Sequence, residues 1–356
     1  MSKILMLFGD WSMGGGQNMV YELSKEIDPD KFDVHILCFA GRNFSSLEQR
    51  AEKCLKINYL DIKGKIGIVS ILKVFSAIKR INPDIIHAHL GGMVFAIPWA
   101  LLHKNKGLVV TAHTKAEKAF NKKVEGMFKY LLKNRKTKTR VVATSEENYK
   151  ELIPYLSVSE NVCKYVNNGI DIKRFYLKPH DSFTLINVAR HDENKNQAAL
   201  IRCFARLHSK YKNTKLFLLG DGDTHEALVR QVNDAGLSES IIFTGNVANA
   251  EDYYAISDLY VQTSHREAMP LSVLEAMAAG LPIVSTNVGG LCDVVRNNGY
   301  LVDDYDEDAL FDAIVRIYEQ SSEQYKKMSD ESRLIVRDYS SEKMARLYEE
   351  IYEELL

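Results

Sequence analysis

Short apolar runs rich in Val, Ile, Leu and Phe alternate with longer stretches in which apolar residues recur every three or four positions. Short unbroken or alternating apolar runs read as strands, and the wider spacing reads as amphipathic helix. In the first half the strand candidates are 3–10, 32–39, 56–60, 85–90, 108–113 and 140–145, separated by helical patterns such as 17–27, 69–81 and 115–133. The turn-rich Val166-Asn167-Asn168-Gly169-Ile170-Asp171 interrupts the pattern. It restarts with strands 184–190, 215–220, 241–244, 259–263 and 282–288, and with helices 196–211 and 271–279 between them. The charged stretch 319–356, with spaced apolar residues, predicts two or so surface helices.

Strand–helix alternation of this kind predicts parallel sheets with right-handed crossovers. The expected class is α/β, with two facing, doubly wound, Rossmann-like parallel-sheet domains. The first spans 1–168 and the second 169–340, with a C-terminal helix 341–356 packing back on the first. Ligands of such sheets bind at the carboxyl ends of the strands, so an interdomain cleft is the expected site.

A length of 356 residues agrees with two domains. At 46% hydrophobic and 26% charged the composition is that of an ordinary globular protein, and a net charge of −1 argues against a nucleic-acid partner. No apolar window approaches the roughly 18 residues that span a bilayer. The best, residues 93–102, contains Pro98 and stops at His103-Lys104-Asn105-Lys106. The N-terminus reads as a first strand and lacks the small-residue cleavage site of a signal peptide. Cys38, Cys54, Cys163, Cys203 and Cys292 are scattered, which suits reduced core cysteines and a cytoplasmic protein.

The strongest motif is Ser264-His265-Arg266-Glu267-Ala268-Met269-Pro270-Leu271-Ser272-Val273-Leu274-Glu275, after an apolar strand. Glu267 falls in the loop, Pro270 suits the first turn of a helix, and Glu275 lies about one and a half turns in. Backbone amides near Met269 to Ser272 would form an open helix N-terminus, a ready anion site. Two carboxylates flanking such a site can accept hydrogen bonds from sugar hydroxyls. Taken alone, solvated surface glutamates explain the pair as well.

A second motif is Val188-Ala189-Arg190-His191-Asp192-Glu193-Asn194-Lys195. Arg binds a diphosphate bidentately, and Lys acts as a mobile point charge. Leu218-Leu219-Gly220-Asp221-Gly222-Asp223 reads as a strand-end turn whose glycines let the backbone approach a nucleotide, although a plain tight turn explains it equally.

Glu267 and Glu275 with seven residues between them, followed by Ala276-Met277-Ala278-Ala279-Gly280-Leu281-Pro282 and Ser285-Thr286-Asn287-Val288-Gly289-Gly290, resemble the E-x7-E block of retaining glycosyltransferases of family four. That family has the GT-B fold, two facing Rossmann-like domains. The resemblance implies that Glu267 and Ala268 to Leu271 hold the donor sugar and diphosphate and that Glu275 binds the nucleotide ribose. It places Arg190 and Lys195 on the diphosphate in the role a metal plays elsewhere, so no cofactor or metal is expected, and the Asp221-Gly222-Asp223 spacing is discounted as a metal site. Thr244-Gly245-Asn246-Val247 resembles the turn beside the base, with the backbone at Val247 making the contact.

In the first half, Gly14-Gly15-Gly16-Gln17 resembles the family's donor–acceptor loop, with Gln17 where an acidic residue is common. A dinucleotide fingerprint would want a third glycine where Met19 stands, so a dehydrogenase is not expected. His113 ends a predicted strand, where the family's His bonds the donor sugar near the reacting carbon. His87 and His89 share one strand face, and one of them, His89 in particular, is a weaker acceptor-side candidate.

The resemblance implies transfer from a nucleotide-diphosphate sugar, a UDP-sugar foremost, to a hydroxyl of a glycan or lipid-linked acceptor, with retention, in cell-surface polysaccharide synthesis. His113, Arg190, Lys195 and Glu267 would carry the chemistry. The alternatives are a sugar-nucleotide epimerase of the same fold and a non-catalytic partner subunit. Residues 115–140 carry ten Lys or Arg, from Lys115 to Arg140, against Glu117 and Glu125. A solvated helix accounts for most such runs, but an anionic membrane surface on the inner face of the cell membrane is a second reading.

Overall fold

A computed structural model describes residues 1–12, 14–64, 66–114, 116–120, 122–134, 138–267 and 269–356, without the side chains of residues 118 and 122–124. The first unit, residues 1–169 with 341–356, holds a seven-stranded sheet. Its strands are β1 (Ser2–Phe8), β2 (Phe32–Cys38), β3 (Lys56–Tyr59), β4 (Ile85–His89), β5 (Gly107–Ala112), β6 (Thr139–Ala143) and β7 (Cys163–Tyr165). The second unit, Ile170–Ser340, holds β8 (Phe183–Val188), β9 (Thr214–Leu219), β10 (Ile241–Gly245), β11 (Leu259–Gln262), β12 (Ile283–Thr286) and β13 (Gly299–Val302).

The strand orders are β3-β2-β1-β4-β5-β6-β7 and β10-β9-β8-β11-β12-β13, and all neighbours run parallel. Each order reverses direction once, between β1 and β4 and between β8 and β11. In doubly wound sheets that reversal opens a crevice at the strands' carboxyl ends. Ile4 to Phe8 in β1 and Leu259 to Val261 in β11 are wholly buried, as near-continuous apolar runs in such sheets require.

Strands β7 and β13 escaped the hydrophobic pattern. Both are edge strands of three or four residues, and β13 opens on Gly299. The apolar window after β4 is a core helix, Met93–Leu102, with Phe95, Ala96, Ile97 and Trp99 buried around Pro98. The helix expected over 115–133 is two pieces, Ala116–Ala119 and Lys122–Asn134. Of the cysteines expected in the core, Cys38, Cys163 and Cys203 are buried, but Cys54 and Cys292 are exposed.

The charged C-terminus forms Ser322–Val336 and Ser341–Glu353. The last helix is not merely a surface element. Met344, Ala345, Tyr348, Ile351 and Tyr352 recur at helical spacing and pack with Met19, Val20 and Leu23 in the core of the first unit. Burying such side chains stabilises by about 1.5–3 kcal/mol each, enough to hold this helix on the first unit.

Candidate active site

In the second unit, Glu267 is the centre of a hydrogen-bonded cluster at the carboxyl ends of β8 and β11. Its Oε1 accepts from Lys195 Nζ at 2.5 Å, Gln262 Nε2 at 2.7 Å and Ser264 Oγ at 2.6 Å. The Glu267 side chain is 9% exposed and that of Lys195 20%, so the pair keeps much of its Coulomb attraction. Gln262 and Ser264 supply the neutral donors that a half-buried ion pair needs to offset desolvation.

Behind the carboxylate runs a directed chain. The wholly buried Tyr260 hydroxyl donates to Gln262 Oε1 at 2.6 Å, and therefore accepts from Ser272 Oγ at 2.8 Å. Gln262 then turns its amide N–H towards Ser264 and Glu267. Every donor points towards Glu267, an arrangement in which successive bonds polarise one another. Tyr254 closes the far end, its hydroxyl 3.1 Å from both Ser272 O and Glu275 Oε2. Burial, with the carboxylates nearby, pushes both phenols well above the usual tyrosine value, so they remain protonated donors.

Three other strand ends clamp the Glu267 loop. Thr286 Oγ1 donates to Ser264 O at 2.6 Å from β12, and Asp304, after β13, lies 2.8 Å from His265 Nδ1. From the loop after β8, Asn194 Nδ2 donates to Arg266 O and Asn194 O accepts from the His265 amide. Thr263 Oγ1 bonds back to the carbonyls of Lys195 and Asn196.

The helix Leu271–Ala279 then starts with Pro270 at its N-cap in extended conformation, one position before the first turn expected for it. No side chain caps it and no acid stands in its first turn, so its N-terminal end keeps the partial positive charge that an anion would meet. Met269 and Leu271 pack against the core, and Glu275 is the fifth helical residue. Ala268 lies outside the described residues.

Arg190 stands apart from this cluster. Its guanidinium donates to Asp223 at 2.8 Å and its side chain is 62% exposed. Gln197 fixes its carbonyl at 3.0 Å. The glycines of Gly220-Asp221-Gly222 answer to the protein's own backbone. Gly220, at φ +124°, has no room for a Cβ, which would lie 2.1 Å from Ala189 O, and at Gly222 one would lie 2.3 Å from His191 O. Val247 follows β10, half-buried against the same core.

His191, Asp221 and His225 bring possible metal-ligand atoms within 4.8 Å of one another. The two Nδ1 atoms are 3.0 Å apart with the rings parallel. A metal on His191 Nδ1 would require a proton on its Nε2, which is buried with no partner. The better fit is an Nδ1–H of His191 donating to His225, with burial lowering the His191 pKa.

In the first unit Gly15 and Gly16 open the helix Gly15–Glu26 after N-cap Gly14, and Gln17 Nε2 donates to Ser12 Oγ at 2.8 Å. A Cβ on Gly16 would lie 3.4 Å from His113 Nδ1. His113 Nε2 is 3.1 Å from His89 Nδ1, and the His89 ring lies 3.9 Å from that of His87 with the planes tilted by 39°. His87, the other histidine on that strand face, is wholly buried in the core. It bonds Tyr352 through Nδ1 and Thr111 through Nε2, each at 2.7 Å, and Thr111 bonds Tyr348.

Buried His89 Nε2 has no partner. A stranded lone pair costs less than a stranded N–H, so His89 donates from Nδ1 and His113 carries its proton on Nδ1, towards Gly16. Burial lowers the His113 pKa to about 4, and its ring is a neutral donor near neutral pH.

Ser264, Ser272 and Asn194 lie within the motifs that pointed to Lys195 and Glu267 but had no role assigned, and Gln262, Tyr260 and Tyr254 lie outside them. A glutamine inside the apolar strand Leu259–Gln262 was the one visible signal.

Comparison with known proteins gives two family matches. Residues 13–174 match Glycosyltransferase Family 4, and residues 170–334 match Glycosyl transferases group 1. The N-acetyl-alpha-D-glucosaminyl L-malate synthase of Bacillus anthracis is 23% identical over 80% of this chain and 78% of its own. The UDP-Gal:alpha-D-GlcNAc-diphosphoundecaprenol alpha-1,3-galactosyltransferase of Escherichia coli is 22% identical over 86% and 85%. Among solved structures, Anabaena HepE in complex with UDP and glucose superposes with a TM-score of 0.82 at 19% identity, covering 99% of this chain and 100% of that one.

Proposed function

The chain belongs to the group 1, family 4 glycosyltransferases with the GT-B fold, and from that premise we propose that it moves a sugar from a UDP-sugar to a glycan or lipid-linked hydroxyl, with retention, in polysaccharide synthesis. The observation that carries this reading is the Glu267 cluster, a carboxylate held by Lys195, Gln262 and Ser264 beside an uncapped helix N-terminus.

All three donors go to Oε1, which leaves Oε2 to accept from a sugar hydroxyl. The Leu271 helix amides, with Arg190 and Lys195, would meet the diphosphate as negative charge builds on it in the transition state. The acceptor hydroxyl passes its proton to that leaving phosphate, so no protein nucleophile and no metal is assigned. His113 would donate its Nδ1 proton to an oxygen of the donor sugar.

The UDP and glucose bound by HepE support the donor. The E. coli relative's diphosphoundecaprenol acceptor supports the acceptor class, while the malate synthase shows that small acceptors occur among relatives. Incubation with UDP-glucose, UDP-galactose and UDP-N-acetylglucosamine, with short-chain lipid-diphosphate glycans, should release UDP and give an α-linked product from one donor. A β-linked product, or UDP release without transfer to any such acceptor, would overturn the reading.

A further inference from the structure

Residues 62–83 of the first unit contain Lys63, Lys65, Lys73, Lys79 and Arg80 and no Asp or Glu, in a chain whose net charge is only −1. Within this run lies the helix Ile68–Ile81. Val74, Ala77, Ile78 and Ile81 anchor one face of it in the core. The opposite face is apolar as well at its N-terminal end. Ile68 is 78% exposed, Val69 68% and Leu72 62%, with Ile66 just ahead at 45%. Spacings of three and four residues put Ile68, Val69, Leu72, Lys73, Ser76, Lys79 and Arg80 on one outward side.

Four large aliphatic side chains exposed within seven residues form a patch, whereas singly exposed apolar residues are normal on any surface. Lys73, Lys79 and Arg80 have no ion-pair partner among the described residues, and Lys63 reaches only the exposed Asp61, at 3.4 Å. In the run 115–140, Lys115, Arg135 and Lys136 and the side chains of Lys118, Lys122 and Lys123 lie outside the described residues, and the described part offers less. There Lys129 is already paired with Glu125 at 2.8 Å, and Tyr130 is the exposed apolar side chain among the described ones.

A second copy of the chain is a poor occupant for this face, because a two-fold contact would set its unpaired cations against themselves. An anionic lipid surface satisfies both halves: the aliphatic tips enter the headgroup–acyl boundary while the long Lys and Arg stems place their charges among the headgroups. We propose that the exposed face of the Ile68–Ile81 helix, with Ile66 and Lys63, docks this protein on a membrane bearing anionic headgroups. The inference stands on this surface alone and holds whichever acceptor the enzyme uses.

Sedimentation of the full chain with phosphatidylcholine vesicles, with and without phosphatidylglycerol, tests it. At physiological salt the anionic vesicles should bind at least about tenfold more protein. The pair Ile68→Asp and Leu72→Asp, and separately Lys73→Gln with Lys79→Gln and Arg80→Gln, should each abolish most of that difference. Because these side chains are exposed, the melting temperature and its shift with UDP should stay as in the parent, which separates this outcome from failure of the donor site. Lys129→Gln with Lys133→Gln should bind as the parent does. The proposal is overturned if phosphatidylglycerol adds no binding, or if the Ile68 and Leu72 changes leave binding intact. It is also overturned if they instead dissolve a dimer seen in equilibrium sedimentation.

Discussion

Both units end their central strands in a buried polar cluster, but the two clusters are built from different materials. In the second unit a carboxylate and an ammonium form the centre, and neutral groups serve to hold them. In the first unit no charge is used: His87, His89 and His113 are joined by Thr111, Tyr348 and Tyr352, all held neutral by burial. The charged cluster sits where negative charge would have to be met. The neutral one presents a single oriented N–H. The difference teaches that the first is sensitive to loss of one partner, because an uncompensated charge is left, and the second to pH, because its parts must stay unprotonated.

The largest expected effect follows from the first half of that contrast. Glu267→Gln keeps the shape but removes the charge that positions Lys195 and accepts from the sugar. It should lower kcat by roughly thirtyfold to a thousandfold, the equivalent of about 2–4 kcal/mol. Melting should fall much less, since Lys195 still reaches solvent. Steady-state kinetics beside a melting curve would check both, and unchanged kcat would remove Glu267 from the chemistry.

Acid should act mainly on the first unit. The folded pKa values of His87, His89 and His113 all lie below the unfolded value near 6.5, with that of His113 at about 4. Below pH 6.5 the unfolded chain therefore binds more protons than the folded one. Stability contributed by these rings is complete above pH 6.5 and is lost as pH falls from there towards 4. For the partly accessible His113 the loss is at most about 3.5 kcal/mol. Hydrogen exchange at pH 7 and pH 5 should show protection falling first in β4 and β5. A fall confined to β8 and β11 would reverse the comparison.

A smaller loss tests whether the neutral groups around Glu267 matter as a chain. Tyr260→Phe leaves Gln262 Oε1 and Ser272 Oγ without their partner in a buried place, which costs roughly 1–3 kcal/mol. If Gln262 then turns its amide over, donation to Glu267 is lost and kcat falls too. Tyr254→Phe, at the far end and with two 3.1 Å contacts, should cost less. Equal effects from both would mean that the chain carries no direction.

How far each cluster could be read from sequence follows the same division. Lys195 and Glu267 lie in local motifs at strand ends, where polar residues interrupt apolar runs; the family resemblance singled them out, but their pairing with each other was not legible. The alternation also yielded eleven of the thirteen strands. Tyr348 and Tyr352, however, reach His87 and Thr111 from more than two hundred residues away, inside a helix whose composition reads as solvent-facing. No local spacing carries such a contact. Gly220 and Gly222 mislead in the opposite sense, because close approach to the carbonyls of Ala189 and His191 explains them without a ligand. Arg190 was legible as a residue type, but its pairing with Asp223 was not.

Arg190 carries the smallest effect on stability and the sharpest distinction between holding a fold and holding a ligand. Its pair with Asp223 is largely exposed, with side chains 62% and 82% accessible, so Arg190→Ala should change melting of the free protein by less than about 0.5 kcal/mol. With UDP present the two proteins should part. A ligand at about 100 times its Kd stabilises by roughly 2.7 kcal/mol, and the variant should lose much of that shift because a charged contact to the diphosphate is gone. Asp223→Ala, which leaves the guanidinium only its longer 4.0 Å approach to Asp192, should keep the UDP shift or enlarge it. If Asp223→Ala weakens UDP as much as Arg190→Ala does, the carboxylate is holding the arginine in its binding position, and the exposed pair belongs with the site around Glu267.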